Sequence, residues 1–342
     1  MKYSVFLFLF LAPVFWSCAR QNLPASKTSY KADGKYDYGP PEQDVSAQLD
    51  KIAHSIYRLN VITFYKVYTF HKSTKITMRR FKLGNTDDFA ASHTVTNHSV
   101  LGTASVIYAN SEKAVLLTCA HVVNFKDTII TYFPDSSGII SNVATKIKQV
   151  NYITGLENPN VKLIATDKKH DIALLMASVS PDEDVSVMPF PTGKSSELDW
   201  GTFVYVMGFP KGYKMVENGI VSKSDNSKDG FFLTNAIFNR GISGGPVFAV
   251  RDGSPRFEWV GIASSAAGSD IFYLEPNIEN TDIYSKKEPF RGELFINKKR
   301  VINYGVTFSV SMDEIIRFVK SIKPELEQQG IDTQYFFNNF PL

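Results

Sequence analysis

The chain has 342 residues, 44% of them hydrophobic, and a formal net charge of only +3. That length suits one large domain or two modest ones, each with a real core. Lys and Arg are scattered, which excludes the basic footprint of a nucleic-acid binder, and two cysteines, Cys18 and Cys119, exclude a disulfide framework.

The chain begins with "MKYSVFLFLFLAPVFWSC", in which Lys2 precedes an apolar run from Tyr3 to Trp16. A bilayer span needs about 20 apolar residues, so this run is short for one. It fits the apolar stretch of a secretory signal peptide over residues 1–18. Cys18 after Ser17 resembles the lipobox of bacterial lipoproteins, with bulkier Phe15 and Trp16 ahead of it. The resemblance implies lipidation at Cys18 and a membrane-anchored protein of the bacterial cell envelope, facing the periplasm or the exterior. A soluble secreted chain and an uncleaved anchor are the alternatives. With lipid on Cys18, Cys119 has no disulfide partner and reads as a small buried hydrophobe.

Residues 19–43 are rich in Pro, Gly, Ser and charge, and predict a disordered tether. From Asp44 the pattern changes. Val45, Leu49, Ile52 and Ile56 recur at helical spacing, and His54 falls on this helix as a surface or packing residue. "VITFYKVYTFH" then reads as a strand. Strand-like runs follow at short intervals: "SVIYAN", "KAVLLTCAHVV", "TIITYF", "KLIATD", "DIALLMA", "FVYVMGF", "NGIVSK", "FFLTNAIF", "PVFAV" and "EWVGIAS". So many short strands predict an all-β sandwich or pair of barrels. Residues 268–299 are polar and irregular and read as a long loop or insertion. "INYGVTFSV" is a last strand. A helix follows, with a capping box at Ser311 and Glu314 and an apolar stripe of Ile315, Phe318, Val319 and Ile322. Residues 44–330 therefore form one domain with an N-terminal helix-and-strand extension, and 331–342 a tail.

The stretch "FNRGISGGPVF" places three glycines and a proline around Ser243. It is either a tight surface turn or a nucleophile in a special backbone conformation. A serine nucleophile needs a general base, and the base an orienting carboxylate. Of six histidines, His121 stands out, because it follows the apolar run "AVLLTCA". Asp171 opens the strand "DIALLMA", where an aspartate either orients an imidazole or caps the strand. Gly241 and Ser243 are positioned to offer backbone N–H groups to an oxyanion. Neither His-Glu-x-x-His nor Cys-x-x-Cys occurs, so no metal site is expected.

"TCAHVV", "DIALL" and "RGISGGP", in the order His, Asp, Ser, resemble the trypsin/chymotrypsin-like serine proteases. The likeness is closer to their bacterial HtrA/Deg branch. "GTASVIY", "VYVMGFP", "NGIVSK", "TNAIFNRGISGGP" and "INYGVTFSVSMDEIIRFV" extend the similarity over about residues 100 to 320. It implies a double six-stranded β-barrel, chymotrypsin-like, with the site between the barrels and a helix at each end. It also implies hydrolysis of peptide bonds in a polypeptide substrate through an acyl-enzyme. His121 would be base and then acid, Asp171 its orienting group, Ser243 the nucleophile, and Gly241 and Ser243 the oxyanion donors. No metal or organic cofactor is needed. In such folds Ile237, six residues before the nucleophile, and the strand holding Ala263, Ser264 and Ser265 border the primary specificity pocket. No acidic residue lies there, so small or medium apolar side chains are the expected preference.

The chain departs from the pattern in three places. Ile242 replaces the Asn or Asp that usually precedes the nucleophile, Cys119 and Ala120 stand where related chains have small or amide residues, and no PDZ module follows the last helix. Ile242 keeps alive a second reading, a catalytically inactive protease-like lipoprotein that binds a peptide or envelope partner. No feature sets an oligomeric state.

Overall fold

The computed structural model describes residues 32–84, 86–134, 138–223, 229–253, 256–276 and 294–339. The expected signal peptide, Cys18 and most of the expected tether lie outside the described residues.

Seven strands build the first unit: β1 (Ile56–Thr69), β2 (Ser92–Ala109), β3 (Lys113–Thr118), β4 (Thr128–Tyr132), β5 (Ile140–Thr154), β6 (Val161–Asp167) and β7 (Ile172–Ser178). They form one antiparallel sheet in the order β4-β5-β1-β2-β3-β7-β6. A single bridge, Tyr152 to Asn160, links the end of β5 to the chain entering β6 and curls the sheet. In β1, Leu59, Val61, Thr63 and Tyr65 are buried in alternation, the period of a strand with one face inward. In β3 and β7 burial is nearly continuous, which matches their unbroken apolar runs "AVLL" and "IALL".

The second unit holds β8 (Phe203–Gly208), β9 (Met215–Lys223), β10 (Phe231–Thr234), β11 (Pro246–Val250), β12 (Phe257–Pro276) and β13 (Leu294–Ser311). These close into a six-stranded barrel, β10-β13-β12-β11-β8-β9. Helix α1 (Ser46–His54) precedes the first unit, and the short α2 (Met78–Leu83) and α3 (Thr86–Phe89) lie between β1 and β2. Helix α4 (Ala120–Val123) follows β3, and α5 (Met312–Ser321) and α6 (Lys323–Gln328) follow β13. The all-β, chymotrypsin-like layout with a helix at each end is thus present. The difference from expectation is that the first unit is a curled seven-stranded sheet; only the second closes. One core cluster spans both units, with Leu116, Leu117, Leu174 and Leu175 from the first and Phe248, Phe257, Trp259 and Met312 from the second or its flank.

Three stretches differ from the sequence reading. Residues 268–299 are not a loop at their flanks. Gly268–Pro276 of β12 pairs with Leu294–Ile302 of β13 as a ribbon extending the barrel, while residues 277–293 lie outside the described residues. Polar cross-strand pairs such as Asp270 with Arg300 hid the strand alternation.

The end of the expected tether is docked rather than disordered. Tyr36 is buried, forms a bridge with Arg251, and donates its hydroxyl to Glu258 at 2.6 Å. The Arg251 guanidinium covers its ring at 4.0 Å. One aromatic among polar residues carries enough apolar surface to anchor the strap.

The expected tail is also part of the core. Ile331, Phe336 and Phe337 are buried, the last two in a 3₁₀ segment over Thr333–Asn339. The pair is too short to show a period, yet each ring is a large apolar payload.

Candidate active site

The register of two buried strands brings the first two chemical groups together. β3 and β7 are antiparallel neighbours, with Thr118 opposite Ala173. Continuing past Thr118, the chain turns through Cys119 into α4, which carries His121. Asp171 sits just before β7 in the tight turn after β6, at φ +59°. Aspartate tolerates that left-handed conformation better than most residues. The turn is held from outside, because the Asp171 carbonyl accepts the Ala120 N–H at 3.1 Å.

The Asp171 carboxylate faces α4. Oδ1 accepts the His121 backbone N–H at 2.8 Å, and Oδ2 lies 2.8 Å from His121 Nδ1. Oδ2 also accepts the Ser264 hydroxyl at 2.6 Å. Burial pushes the Asp171 carboxyl up, but the hydrogen bonds and charge of His121 and the Ser264 hydroxyl outweigh it, so the net shift is downward. An ionised carboxylate only accepts, so Nδ1 carries the proton and Nε2 is left as an acceptor. Nε2 lies 3.1 Å from Ser243 Oγ. The Ser243 hydroxyl also lies 2.9 Å from the Ser264 carbonyl, so two acceptors flank one proton.

Ser243 is placed by β11, which is buried throughout and paired to both β8 and β12. The loop before it is fixed by backbone bonds: Ile242 N–H to Asn239 O at 3.1 Å, Gly245 N–H to Ile242 O at 2.8 Å, and Gly244 N–H to Ala263 O at 2.8 Å. Thr103 of β2 ties the loop to the first unit. Its hydroxyl donates to the Gly241 carbonyl at 2.8 Å and accepts the Phe209 N–H at 3.0 Å. Its own N–H donates to the Ser243 carbonyl at 2.8 Å. With the Gly241 carbonyl drawn to Thr103, the N–H groups of Gly241 and Ser243 have no acceptor among the described residues. Gly241 holds φ +105° and Gly244 φ +88°.

A side chain at Gly244 would put Cβ 2.1 Å from the Thr103 carbonyl and 2.5 Å from Thr118 Oγ1. Strain and overpacking together predict that Gly244→Ala loses about 2–6 kcal/mol of stability. Urea denaturation measures it; an unchanged midpoint would show that the loop is looser than this packing.

Ile242 stands where the resembled pattern has an Asn or Asp that hydrogen-bonds. It is 2% exposed and packs in the barrel interior with Val206, Phe238 and Val247. Burial does here what a polar side chain does by hydrogen bonding. Of the four residues expected to border a pocket, Ile237 is 49% exposed and Ser265 is exposed. Ala263 and Ser264 are buried, and the Ser264 side chain is turned to Asp171 instead. Ser264 and Thr103 are the functional neighbours that sequence reasoning missed in these roles. The available signal was a hydroxyl on a buried strand, which must find a partner.

Cys119 lies directly behind this group, fully buried, with its thiol 3.2 Å from the Ala263 carbonyl. Burial pushes the thiol well above the usual range, and the Asp171 charge adds to the shift. The native protein is therefore expected to resist iodoacetamide at pH 8 and to react fully in urea. Mass spectrometry reads both; fast native labelling would contradict the burial.

Among the described residues, two groups gather metal-capable side chains: Cys119, His121 and Asp171, and Asp167, His170 and Glu314. In the first, the protonated thiol is a poor ligand. In the second, His170 Nδ1 and Asp167 Oδ2 are 2.6 Å apart. That is a hydrogen-bond distance, shorter than the roughly 3.3 Å between two ligands of a tetrahedral zinc ion.

Residues 102–262 match the model of the trypsin-like peptidase domain, a span that includes His121, Asp171 and Ser243. A Hahella chejuensis protein named "Probable periplasmic serine endoprotease DegP-like" is 39% identical over 93 residues, covering 25% of this chain and 19% of the relative. "Serine protease HTRA4" of Mus musculus is 30% identical over 135 residues, 33% of this chain and 28% of the relative. The chain thus matches less than a third of the length of these curated relatives. Among solved structures, Deg5 has a TM-score of 0.40 at 14% identity, over 81% of this chain and 92% of that one. Kallikrein-related peptidase 10 in complex with Zn2+ has a TM-score of 0.36 at 10% identity, over 65% of this chain and 88% of that one. No helix among the described residues is long and apolar enough to cross a membrane.

Proposed function

We propose that the protein is a serine endopeptidase that cleaves exported or misfolded polypeptides through a Ser243–His121–Asp171 triad. The observation that carries this reading is the unbroken hydrogen-bonded line from Ser264 Oγ through Asp171 and His121 to Ser243 Oγ, beside two backbone N–H groups without acceptors among the described residues.

His121 Nε2 takes the Ser243 proton as Oγ attacks the scissile carbonyl carbon. The imidazolium is stabilised by ionised Asp171, and the oxyanion is held by the Gly241 and Ser243 N–H groups. The imidazolium proton goes to the leaving amine, giving an acyl-enzyme on Ser243. Water, deprotonated by His121, releases the acid and restores the serine. Attack requires the Ser243 hydroxyl proton to turn from the Ser264 carbonyl to His121, a rotation about one side-chain bond. Ile237 and Ser265 remain as the accessible pocket residues in this reading, and the lack of an acid there supports apolar preference.

Lipidation at Cys18 and a place in the bacterial cell envelope belong to the same proposal. The apolar run before Cys18 and the "periplasmic" in the name of the Hahella relative support them.

A fluorophosphonate probe tests the activity. The folded wild type should label, and Ser243→Ala should not. Absence of wild-type labelling from pH 6 to 9 would favour the inactive, partner-binding reading.

A further inference from the structure

Ser311 and Glu314 predict a capping box, in which the Glu side chain returns to the N-cap N–H. Only half of it forms. The Ser311 hydroxyl accepts the Glu314 N–H at 3.3 Å, but the Ser311 N–H donates to the Gly230 carbonyl at 2.9 Å. Glu314 is thereby freed from its usual local partner. Its side chain, only 6% exposed, pairs through Oε2 with Arg317 and brings Oε1 to 3.2 Å from His170 Nδ1.

His170 directly precedes Asp171 in the turn joining β6 and β7. Asp167 closes that turn: Oδ1 accepts the N–H groups of Lys169 at 2.8 Å and His170 at 3.2 Å, and Oδ2 meets His170 Nδ1 at 2.6 Å. The His170 side chain is 13% exposed. One imidazole nitrogen is therefore gripped by carboxylates from two elements, its own hairpin in the first unit and helix α5, which packs on the second barrel. Such buried ionic groups contribute little net stability against apolar replacements, so their presence calls for another account. The neighbouring residue supplies one. Asp171 holds a left-handed conformation, which is sparse even for the tolerant aspartate and is kept by its surroundings.

We infer that His170 and Glu314 are positioning residues that lock the β6–β7 turn against helix α5 and so keep the Asp171 carboxylate aimed at His121. The catalytic consequence rests on the proposed triad; the lock itself is independent of it.

The test compares the full chain with His170→Leu, Glu314→Gln and His170→Asn, the last of which offers an amide N–H where Nδ1–H stands. Three quantities are read: the low-field proton resonance of His121 Nδ1–H (assigned by its loss in His121→Ala), the rate of fluorophosphonate labelling, and the folded fraction. In His170→Leu and Glu314→Gln the resonance should shift or broaden and labelling should slow by about 10- to 100-fold, the scale of a small misplacement. With a peptide substrate kcat should fall while KM stays within about 2-fold, as expected when orientation rather than binding is lost. His170→Asn should recover most of the rate. An unmoved resonance with wild-type labelling, or a rate that merely tracks the folded fraction, overturns the inference. Should His170→Leu fail to fold, Glu314→Gln decides by the same criteria. A resonance that moves in a protein whose wild type never labels sinks the peptidase reading and leaves the lock standing.

Discussion

Asp171→Asn is expected to lower kcat by about four orders of magnitude while leaving the fold intact, the scale of tautomer reversal in Ser-His-Asp hydrolases. The reason lies in the donor and acceptor count around the carboxylate. Oδ1 takes the His121 backbone N–H, and Oδ2 takes His121 Nδ1–H and the Ser264 hydroxyl. An asparagine oxygen satisfies the backbone N–H, which leaves its NH2 facing Nδ1. Nδ1 must then accept, so the ring proton moves to Nε2, and Nε2 can no longer take the proton of Ser243. Stopped-flow acylation by an activated ester measures the loss, and circular dichroism checks the fold. A loss below about 10-fold would mean that Asp171 does not set the tautomer. The same substitution carries a pH signature. The Asp171 carboxyl is held below its ordinary value, so the stability it contributes is fully present above its unfolded pKa near ~3.9. It is lost as pH falls through the lower folded value, because the unfolded chain takes up the proton first. The gap in unfolding free energy between wild type and Asp171→Asn should shrink as pH falls below about 4.

The residues of the proposed triad were legible because their signals are local. His121 follows an apolar run and Asp171 precedes one, and such a run is a buried strand whose end meets solvent. Ser243 is marked by glycines that the backbone needs, as φ at Gly241 and Gly244 shows. What was not legible depends on register between distant segments. Ser264 reaches Asp171 across 93 positions and Thr103 reaches Gly241 across 138, and nothing beside either residue announces its partner. β5 escaped notice because Lys146 and Lys148 interrupt its apolar residues, which a strand with one exposed face allows. Ile242 was hard to read for a related reason. Its side chain has no hydrogen-bonding capacity to judge it by, and its burial in the barrel is a tertiary fact that no local rule reports.

Removing the aromatic rings of Phe336 and Phe337 is expected to destabilise the protein more than any change outside the two sheets. Both side chains are fully buried. Phe336 meets Tyr108 of β2 with ring centroids 5.8 Å apart, and Phe337 meets Trp259 of β12 edge-on at 5.6 Å. The two rings also touch each other, at 6.3 Å. The segment thus packs on the first sheet and the second barrel at once. Each Phe→Ala change should cost about 3–5 kcal/mol, from lost transfer energy and the cavity left behind. Because the rings touch, the double variant should cost less than the sum of the singles. Even so, the loss is comparable with the 5–15 kcal/mol stability of a whole domain. Deletion from Thr333 onward should therefore give a chain that melts far below the wild type or does not fold. Phe337 adds a distinguishing detail, since its φ of +52° is unfavourable for a bulky residue. Phe337→Gly relieves that strain while losing the same ring, so it should be no worse than Phe337→Ala despite the entropy cost of glycine. Urea titrations of the five variants measure these differences. A deletion variant with the wild-type midpoint would remove the C-terminal segment from the core. The consequence reaches the site as well: Ser243 comes from one unit and His121 from the other, so a loosened junction should slow fluorophosphonate labelling even in the single variants that remain folded.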